Sequence, residues 1–394
     1  MFRMASCQFT DAQWGSVFIT WFNDHSKRLA NEWLSKAADY PVSISISSIL
    51  SDFDACESDC SSHVKSDAYT SYTELRDFLS AYKIRMLDLP IYSETLPQLA
   101  LILSELPDEN ISLLENLSLT ELEDAGDLFL DDVRYSGLHF LQLAGPFDSN
   151  SLILPWNTLR ELDTTASYLP FTQCLHILRQ CTSLHTCSFG VKFLTVPMEY
   201  EPVRHQNLSV LFLSFINPAP INIVLRPLTV PNLTSLTIDR AYYHNKLYSA
   251  PLLGSGFAAE YLDLMQRSNY PSNRHLSIAF TDYPINIADL LIASPTLTRL
   301  TIGHVAFGQT TLNDLAEGQL GPNLQHLAVV RLSDATVREV LDTILSRNSE
   351  GVGKESMTPF RSVVLDYYLD DTDLVALREA DVEPQGLTFP SSPW

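Results

Sequence analysis

The sequence is poor in the residues and motifs that most enzymes and membrane proteins need. Only 14 of its 394 residues are glycine, which leaves little material for loops that bind phosphate through backbone N–H groups. It contains no P-loop, dinucleotide-binding fingerprint, Gly-x-Ser-x-Gly elbow or His-Glu-x-x-His pair. It also lacks an apolar run of the roughly 18 residues that a transmembrane helix requires. We therefore expect that the chain is not an enzyme, holds no cofactor or metal and does not cross a membrane.

Positive charge is scarce as well. The 25 Lys and Arg residues are outnumbered by 47 Asp and Glu residues, so the formal net charge at pH 7 is −22. Such a surface repels the phosphates of nucleic acids and of anionic lipids, and we expect neither as a partner. A protein partner with a basic surface fits this charge better. The same excess of negative charge is also typical of a surface that only keeps a large protein in solution.

One segment concentrates the negative charge. Residues Met86–Val133 contain no Lys or Arg, and their Asp and Glu residues gather in "ELPDEN" and "ELEDAGDLFLDD". Two interpretations stay open for this segment. It is either a solvated rim of the fold or a contact for a basic partner.

Cysteine is also rare, with 6 residues, and these are not arranged like the disulfide framework of a small secreted protein. The first residues, "MFRMASCQFTDAQWG", lack the apolar stretch of a signal peptide. Both features favour a reducing compartment. We expect the protein in the cytoplasm or the nucleus.

The stretch "CLHILRQCTSLHTC" has the composition of a metal site. Cys174 and Cys181 fall on one apolar stripe of a predicted helix, and Cys187 takes an apolar position of the following strand. His176 and His185 lie outside these apolar positions. Because zinc requires converging ligands, we expect the three cysteines to be core residues and the histidines to lie outside the core.

A second cysteine pair lies in an acidic, Ser-rich segment, "SDFDACESDCSSHVKSD" at residues 51–67. Its low content of large apolar residues predicts a surface loop. Metal binding through Cys56, Cys60 and His63 is an alternative, although no further pair of cysteines is available to complete such a site. Phosphorylation of the loop is a further hypothesis.

A repeated six-residue phrase runs through most of the chain. It consists of an apolar residue, two residues of any type, a second apolar residue, one residue of any type and a third apolar residue. Most successive copies are about 21 to 30 residues apart, the range of leucine-rich repeats. The phrase occurs as IRMLDL (from Ile84), LENLSL (Leu114), LHFLQL (Leu138), LRELDT (Leu159), LHTCSF (Leu184), LSVLFL (Leu208), LTSLTI (Leu233), LTRLTI (Leu297), LQHLAV (Leu324) and FRSVVL (Phe360), with NRHLSI (Asn273) as a degraded copy.

Each phrase predicts a short strand whose middle and last apolar residues point into the core. Stacked copies form a parallel sheet, and each strand must be followed by a return connection. We therefore predict an α/β fold, a leucine-rich-repeat solenoid with a parallel β-sheet on the concave face and helices and loops on the convex face. Thr310 and Ser333 are predicted N-caps. Apolar spacing predicts helices at 95–106, 171–181, 256–268, 286–294, 310–319 and 333–348.

This pattern divides the chain into three parts. Residues 1–80 are a predicted N-terminal capping and linker region, in which "WGSVFITWF", the following helix and "PVSISIS" form a strand, a helix and a strand. The solenoid is predicted to span residues 81–380. Residues 381–394 are a predicted C-terminal tail.

The side chains between the apolar positions of each phrase are predicted to line the concave face, where solenoids commonly bind their partners. Two of them, Phe140 and Phe212, are aromatic and suit a binding hot spot, or else pack against a neighbouring strand. The predicted face residues are Asp88, Asn116, Phe140, Gln142, Glu161, Asp163, Phe212, Thr237, Asp239, Arg299, His326 and Asp366.

Two segments resemble a known family. "LPWNTLRELD" followed by "FTQCLHILRQCTSLHTCSFG" is similar to the leucine-rich-repeat region of F-box proteins that are expanded in mushroom-forming fungi. In that family a Leu-Pro-Trp turn into a strand precedes a helix that ends in "LRQCP-x-L", and Thr182 here replaces the proline. "WGSVFIT" and "NEWLSKAADYPVSISI" resemble the segment that joins the F-box to the repeats.

The resemblance implies a substrate-recognition part of an F-box-type ubiquitin ligase receptor. In the family, a helical F-box precedes the linker and docks a Skp-type adaptor. Thirteen residues precede Trp14 and contain no Leu-Pro-x-Glu helix start, so we expect the F-box to be lost or missing from the sequence, and adaptor binding only if an upstream F-box exists. The alternative is an independent leucine-rich-repeat scaffold or decoy with no link to ubiquitin. We expect a monomer.

Overall fold

The structure is a computed structural model. It describes residues 16–19, 24–37, 40–47, 73–90, 96–120, 130, 133–145, 147, 153–192, 200–216, 224–240, 256–278, 284–331, 334–350, 357–365 and 371–384. The predicted loop at 51–67, Asp366, Ser333 and residues 385–394 lie outside these ranges.

The protein is an α/β fold built on parallel strands, and it forms two compact units. The first unit contains the described residues up to Leu169 together with His176–Leu184. The second contains Pro170–Leu175 and the described residues from His185 onward. No helix in the described ranges is long and apolar enough to cross a bilayer.

In the first unit the strands pair in sequence order, each parallel to the next. They are β1 (Ser16–Ile19), β2 (Val42–Ile46), β3 (Ile84–Pro90), β4 (Asn116–Thr120), β5 (Phe140–Leu143) and β6 (Glu161–Pro170), of which only Pro170 belongs to the second unit. Helices span Asp24–Leu34, 73–79, Leu96–Glu105 and Asp108–Ile111, with a 3-10 turn at Ser35–Ala37. The predicted N-terminal strand, helix and strand are confirmed as β1, the helix Asp24–Leu34 and β2.

In the second unit the main sheet has the strand order β7-β9-β11-β12-β14-β15-β16-β17, again all parallel. These strands are β7 (Thr186–Lys192), β9 (Val210–Phe215), β11 (Ser235–Arg240), β12 (His275–Ile278), β14 (Arg299–Ala306), β15 (His326–Arg331), β16 (Ser362–Leu365) and β17 (Glu383–Pro384). β13 (Ile285–Asn286) pairs with β14, while β8 (Val203–Arg204) and β10 (Leu228–Thr229) pair with each other.

Helices return the chain between strands, as parallel pairing requires. The helix Phe171–Gln180 carries residues of both units. Those of the second unit span Phe257–Arg267, Ile287–Ala293, Gln309–Ala316, Asp334–Glu350 and Asp371–Glu379. All six predicted helices are present, with ends that differ by a few residues. The prediction of Thr310 as an N-cap is wrong, because the helix begins at Gln309 and Gly308 takes that position without a side-chain hydrogen bond.

The core lies on one face of the strands because apolar residues recur at every second position. Each predicted phrase, including the degraded copy, coincides with a strand, and its middle apolar residue is aligned with that of its paired neighbours. These middle residues are buried in both units. They are Leu87, Leu117, Leu141 and Leu162 in the first unit, and Cys187, Leu211, Leu236, Leu276, Leu300, Leu327 and Val363 in the second.

Arg347, in the helix Asp334–Glu350, is a charged residue with no exposed surface. Its guanidinium stacks on Phe360, with 4.7 Å to the ring centre. Burial lowers the pKa of Arg347 to about 10, so the group stays charged at neutral pH. The guanidinium nitrogens lie 2.8–3.3 Å from the backbone carbonyl oxygens of Leu315, Gly321, Pro322, Leu324 and Thr358, which share the N–H donors.

Candidate functional site

The face of the strands opposite the core carries the residues that the sequence predicted for binding. All of these except Asp366, which is outside the described residues, lie in strands and outside the core. The first unit holds Asp88, Asn116, Phe140, Gln142, Glu161 and Asp163. The second holds Phe212, Thr237, Asp239, Arg299 and His326.

In the first unit this polar face is acidic and is organised by hydrogen bonds between neighbouring strands. Asp88 accepts a hydrogen bond of 2.8 Å from the Ser45 hydroxyl. Gln142 accepts one of 3.1 Å from Ser118. Asp163 instead accepts two bonds from within its own strand, from the backbone N–H and the hydroxyl of Thr165, at 2.9 and 2.7 Å. Several of the face residues here are therefore engaged within the protein.

In the second unit the polar face is basic where β12, β14 and β15 begin. The register of β11, β12, β14, β15 and β16 places Ser235, His275, Arg299, His326 and Ser362 side by side in one row. An open depression of about 280 Å³ lies at the start of these strands. Its lining residues are Arg274, His275, Thr298, Arg299, Gln325 and His326.

Serine hydroxyls hold both histidines at the two sides of Arg299. Nδ1 of His275 lies 3.1 Å from the Ser235 hydroxyl, and Nδ1 of His326 lies 3.0 Å from the Ser362 hydroxyl. Each imidazole therefore uses its Nδ1 for a hydrogen bond to a serine of a neighbouring strand. Its other nitrogen, Nε2, remains for a further hydrogen bond.

The arginines give the depression its charge. Arg274 and Arg299 are exposed at its wall, and Arg361 is exposed one residue before Ser362. Burial and the charge of Arg299 lower the pKa of His275, and burial with the charges of Arg299 and Arg361 lowers the pKa of His326. No ion pair joins these three arginines to a carboxylate in the described part of the chain. A local positive charge thus stands in a chain whose net charge is −22.

Sequence reasoning identified part of this site and missed the rest. It predicted Arg299 and His326 as face residues but omitted Arg274, His275 and Arg361. The missing signal lies in the two residues before the middle apolar residue of each phrase: "RH" in NRHLSI, "TR" in LTRLTI, "QH" in LQHLAV and "RS" in FRSVVL. Aligning the phrases on their apolar positions would have shown this basic series.

The cysteine-rich stretch is confirmed as part of the core. Cys174, Cys181 and Cys187 are buried and are not part of a disulfide, whereas His176 and His185 lie outside the core. Burial raises the pKa of the Cys174 and Cys181 thiols well above their usual range, which disfavours the reactive thiolate. Within the described ranges, no group of three or more His, Cys, Asp or Glu side chains is placed to hold a metal ion.

The chemistry of the basic depression is that of anion binding. Guanidinium groups donate paired hydrogen bonds to planar anions such as carboxylates, and the histidine rings add polar groups between them.

No protein-family model matches the chain, and no curated protein sequence matches it.

Proposed function

We propose that the chain is a protein-binding module whose partner docks on the polar face of the parallel sheet. The observation that carries this proposal is the depression lined by Arg274, Arg299 and His326, where exposed basic side chains have no carboxylate partner in the described residues. Charged groups at the rim of an interface typically supply specificity and speed of association.

The proposed architecture is a leucine-rich-repeat solenoid with this polar face on its concave side. Its support is the recurring phrase, the parallel pairing of the strands that contain it, and the helices that follow several of them. Solenoids of this kind present one face of stacked strands as a continuous binding surface.

Within this proposal, the finer role is substrate recognition in an F-box-type ubiquitin ligase receptor. Its support is the resemblance carried by the Leu-Pro-Trp motif and the helix that follows. Trp156 is buried in the turn that precedes β6, and its backbone N–H donates over 2.8 Å to the Leu154 carbonyl. The motif thus makes a packed turn into a strand, which suits its place in the family pattern. A scaffold without a link to ubiquitin is the alternative.

Adaptor binding separates these two roles. Purified Skp-type adaptor is mixed with this chain and with a version extended by the upstream genomic sequence. Binding by the extended version alone would support the receptor role and a missing F-box. Failure of both versions to bind would favour the scaffold.

Partner capture tests the binding proposal itself. Tagged wild-type chain and the variants Phe212→Ala, Arg299→Glu and Arg378→Glu are compared for the proteins that they retain. Arg378 is an exposed arginine of the helix Asp371–Glu379 and serves as the matched control away from the sheet. We expect partners that both face variants lose and that the control keeps. If both face variants retained the same proteins as the wild-type chain, the proposal would be contradicted.

The proposal also holds that the chain has no catalytic activity of its own. Hydrolase screening and metal analysis of the purified protein are both expected to be negative. Turnover of a substrate, or a stoichiometric metal, would overturn this part of the proposal.

A further inference from the structure

Three arginines mark a line across the sheet of the second unit. Arg274 directly precedes β12, Arg299 begins β14 and Arg361 directly precedes β16. Since β12, β14, β15 and β16 are successive neighbours, three strand spacings separate the first arginine from the last, a distance of about 14 Å along the sheet.

The backbone fixes the level of these residues along the strands. The carbonyl of Arg274 accepts hydrogen bonds of 2.9 Å from the N–H groups of Thr298 and Arg299, and the N–H of Arg361 donates over 2.7 Å to the carbonyl of Gln325. Arg274 and Arg361 therefore lie at one level, and Arg299 lies one residue further along its strand. The three arginines are therefore attached to backbone positions spread across four strands. They are not carried by one turn that would direct them to a single point.

The charged residues that line the depression are positive, whereas the exposed Glu383 of β17 lies beside Ser362 at the end of the same row. His275 and His326 lie on either side of Arg299 in the register, and the lining residues include no carboxylate. Burial, and after it the repulsion from Arg299 and, for His326, also from Arg361, disfavours protonation of the histidines. A bound anion relieves this repulsion.

We propose that the basic line binds an extended acidic segment of a partner protein, with Asp or Glu carboxylates seated on Arg274, Arg299 and Arg361. This proposal rests on the protein-binding function proposed above and names the chemistry of its partner. A distance of about 14 Å corresponds to about four residues of extended chain. Carboxylates on a segment of that length can reach all three arginines at once.

The spacing argues against two other anions. A single phosphorylated side chain presents one compact charge and suits arginines that converge on a point. A nucleic acid would place many phosphates against the rest of a chain whose net charge is −22. An acidic segment of a protein, unlike a nucleic acid, can have its negative charges confined to the few residues that contact the arginines.

Fluorescence anisotropy with the full chain tests the proposal directly. The probes are a labelled peptide of alternating Glu and Asp, a matched peptide of Gln and Asn, a neutral peptide with one phosphoserine, and a single-stranded oligonucleotide. We expect the acidic peptide to bind most tightly and to weaken as salt is raised. Arg274→Ala, Arg299→Ala and Arg361→Ala should each weaken it roughly tenfold or more, the loss of one charge-assisted hydrogen-bonded contact.

The control is Arg378→Ala, which removes an exposed positive charge elsewhere on the same unit and should leave the affinity unchanged. Arg299→Gln keeps a polar side chain and should weaken binding about as much as Arg299→Ala, while circular dichroism verifies folding. Equal loss in Arg378→Ala would show a non-specific charge effect and would overturn the proposal.

Other outcomes overturn it in distinguishable ways. Tighter binding of the phosphoserine peptide or of the oligonucleotide would assign the site to that anion. Self-association that the arginine substitutions abolish, seen by analytical ultracentrifugation, would assign it to a second copy of the chain. Absence of binding by every probe, together with partners that still depend on Phe212, would reject the acidic ligand and leave the protein-binding function standing.

Discussion

At the scale of single residues, Arg347 is a buried charge whose hydrogen-bond partners in the described residues are backbone carbonyls. Five backbone carbonyls surround its guanidinium, and they belong to the end of the helix Gln309–Ala316 and to the segments that precede β15 and β16. A buried carbonyl that loses its hydrogen-bond donor destabilises the fold by about 1–3 kcal/mol. Because its acceptors lie in different segments, this one side chain holds several return connections of the second unit together.

Replacing Arg347 by lysine should therefore be costly. The ammonium is a point charge with three donors and cannot span the carbonyls that the planar guanidinium reaches. We expect Arg347→Lys to lower the free energy of unfolding by about 3 kcal/mol or more, measured by urea denaturation. Arg361→Lys, at an exposed arginine, should have no measurable effect. Equal stability of the two variants would contradict the bonding role of Arg347.

The buried cysteines behave as small apolar residues. Cys181 has no exposed surface, and a serine there places a hydroxyl in an apolar setting. We expect Cys181→Ser to lower the free energy of unfolding by roughly 1–3 kcal/mol and Cys181→Ala to lower it less, because alanine loses volume without adding a polar group. Stoichiometric zinc in the wild-type protein would instead mean that the sulfur is a ligand.

His275 and His326 should make the protein less stable in mild acid. Their pKa values are lowered below the ordinary value of 6.5, by burial first and then by Arg299 for both, with Arg361 adding to the effect on His326. The unfolded chain then takes up protons before the folded chain does, so this contribution to stability declines as pH falls below about 6.5 toward the folded pKa.

Denaturation from about pH 8 to about pH 5 measures this effect. We expect the double variant His275→Gln, His326→Gln to lose less stability over that range than the wild type. His185→Gln, at an exposed histidine outside the core, is the control. The opposite order would mean that the folded protein binds the protons more tightly than the unfolded chain.

At the scale of secondary structure, the strands were predictable because their pattern is local. Each phrase alternates core and surface positions, and each contains a parallel strand in the structure. The short strands β8, β10, β13 and β17 were not predicted, since each consists of two residues and carries no pattern of its own. The predicted cap at Thr310 failed because Gly308 already starts the turn.

One turn depends on glycine in a way that mutagenesis can test. Gly318 follows the helix Gln309–Ala316 with φ at +74°, and a Cβ at that position would lie 2.5 Å from Sδ of Met357. We expect Gly318→Ala to lower the free energy of unfolding by roughly 1–3 kcal/mol, measured by thermal or urea denaturation.

Gly256 is the matched control for this substitution. Its φ is −97°, and nothing lies within 4 Å of the position that a Cβ would occupy. Gly256→Ala should therefore be nearly neutral. Gly318→Ala as stable as Gly256→Ala would show that the turn relaxes without strain.

At the scale of the whole molecule, the charge totals and the basic depression favour partners of opposite charge. A net charge of −22 favoured a basic partner, and that prediction still applies to the acidic segment Met86–Val133. The totals could not show a basic cluster, because its arginines lie as far apart in sequence as Arg274 and Arg361. Only the stacking of strands brings them onto one surface.

The central claim is that these arginines form the surface that selects a partner by charge. Reversing their charge tests it most directly, in the triple variant Arg274→Glu, Arg299→Glu, Arg361→Glu. Measured by anisotropy with the acidic peptide and a lysine peptide of equal length, the variant should lose the acidic peptide and gain the lysine peptide. A variant that remains folded and keeps the wild-type preference for the acidic peptide would contradict the account.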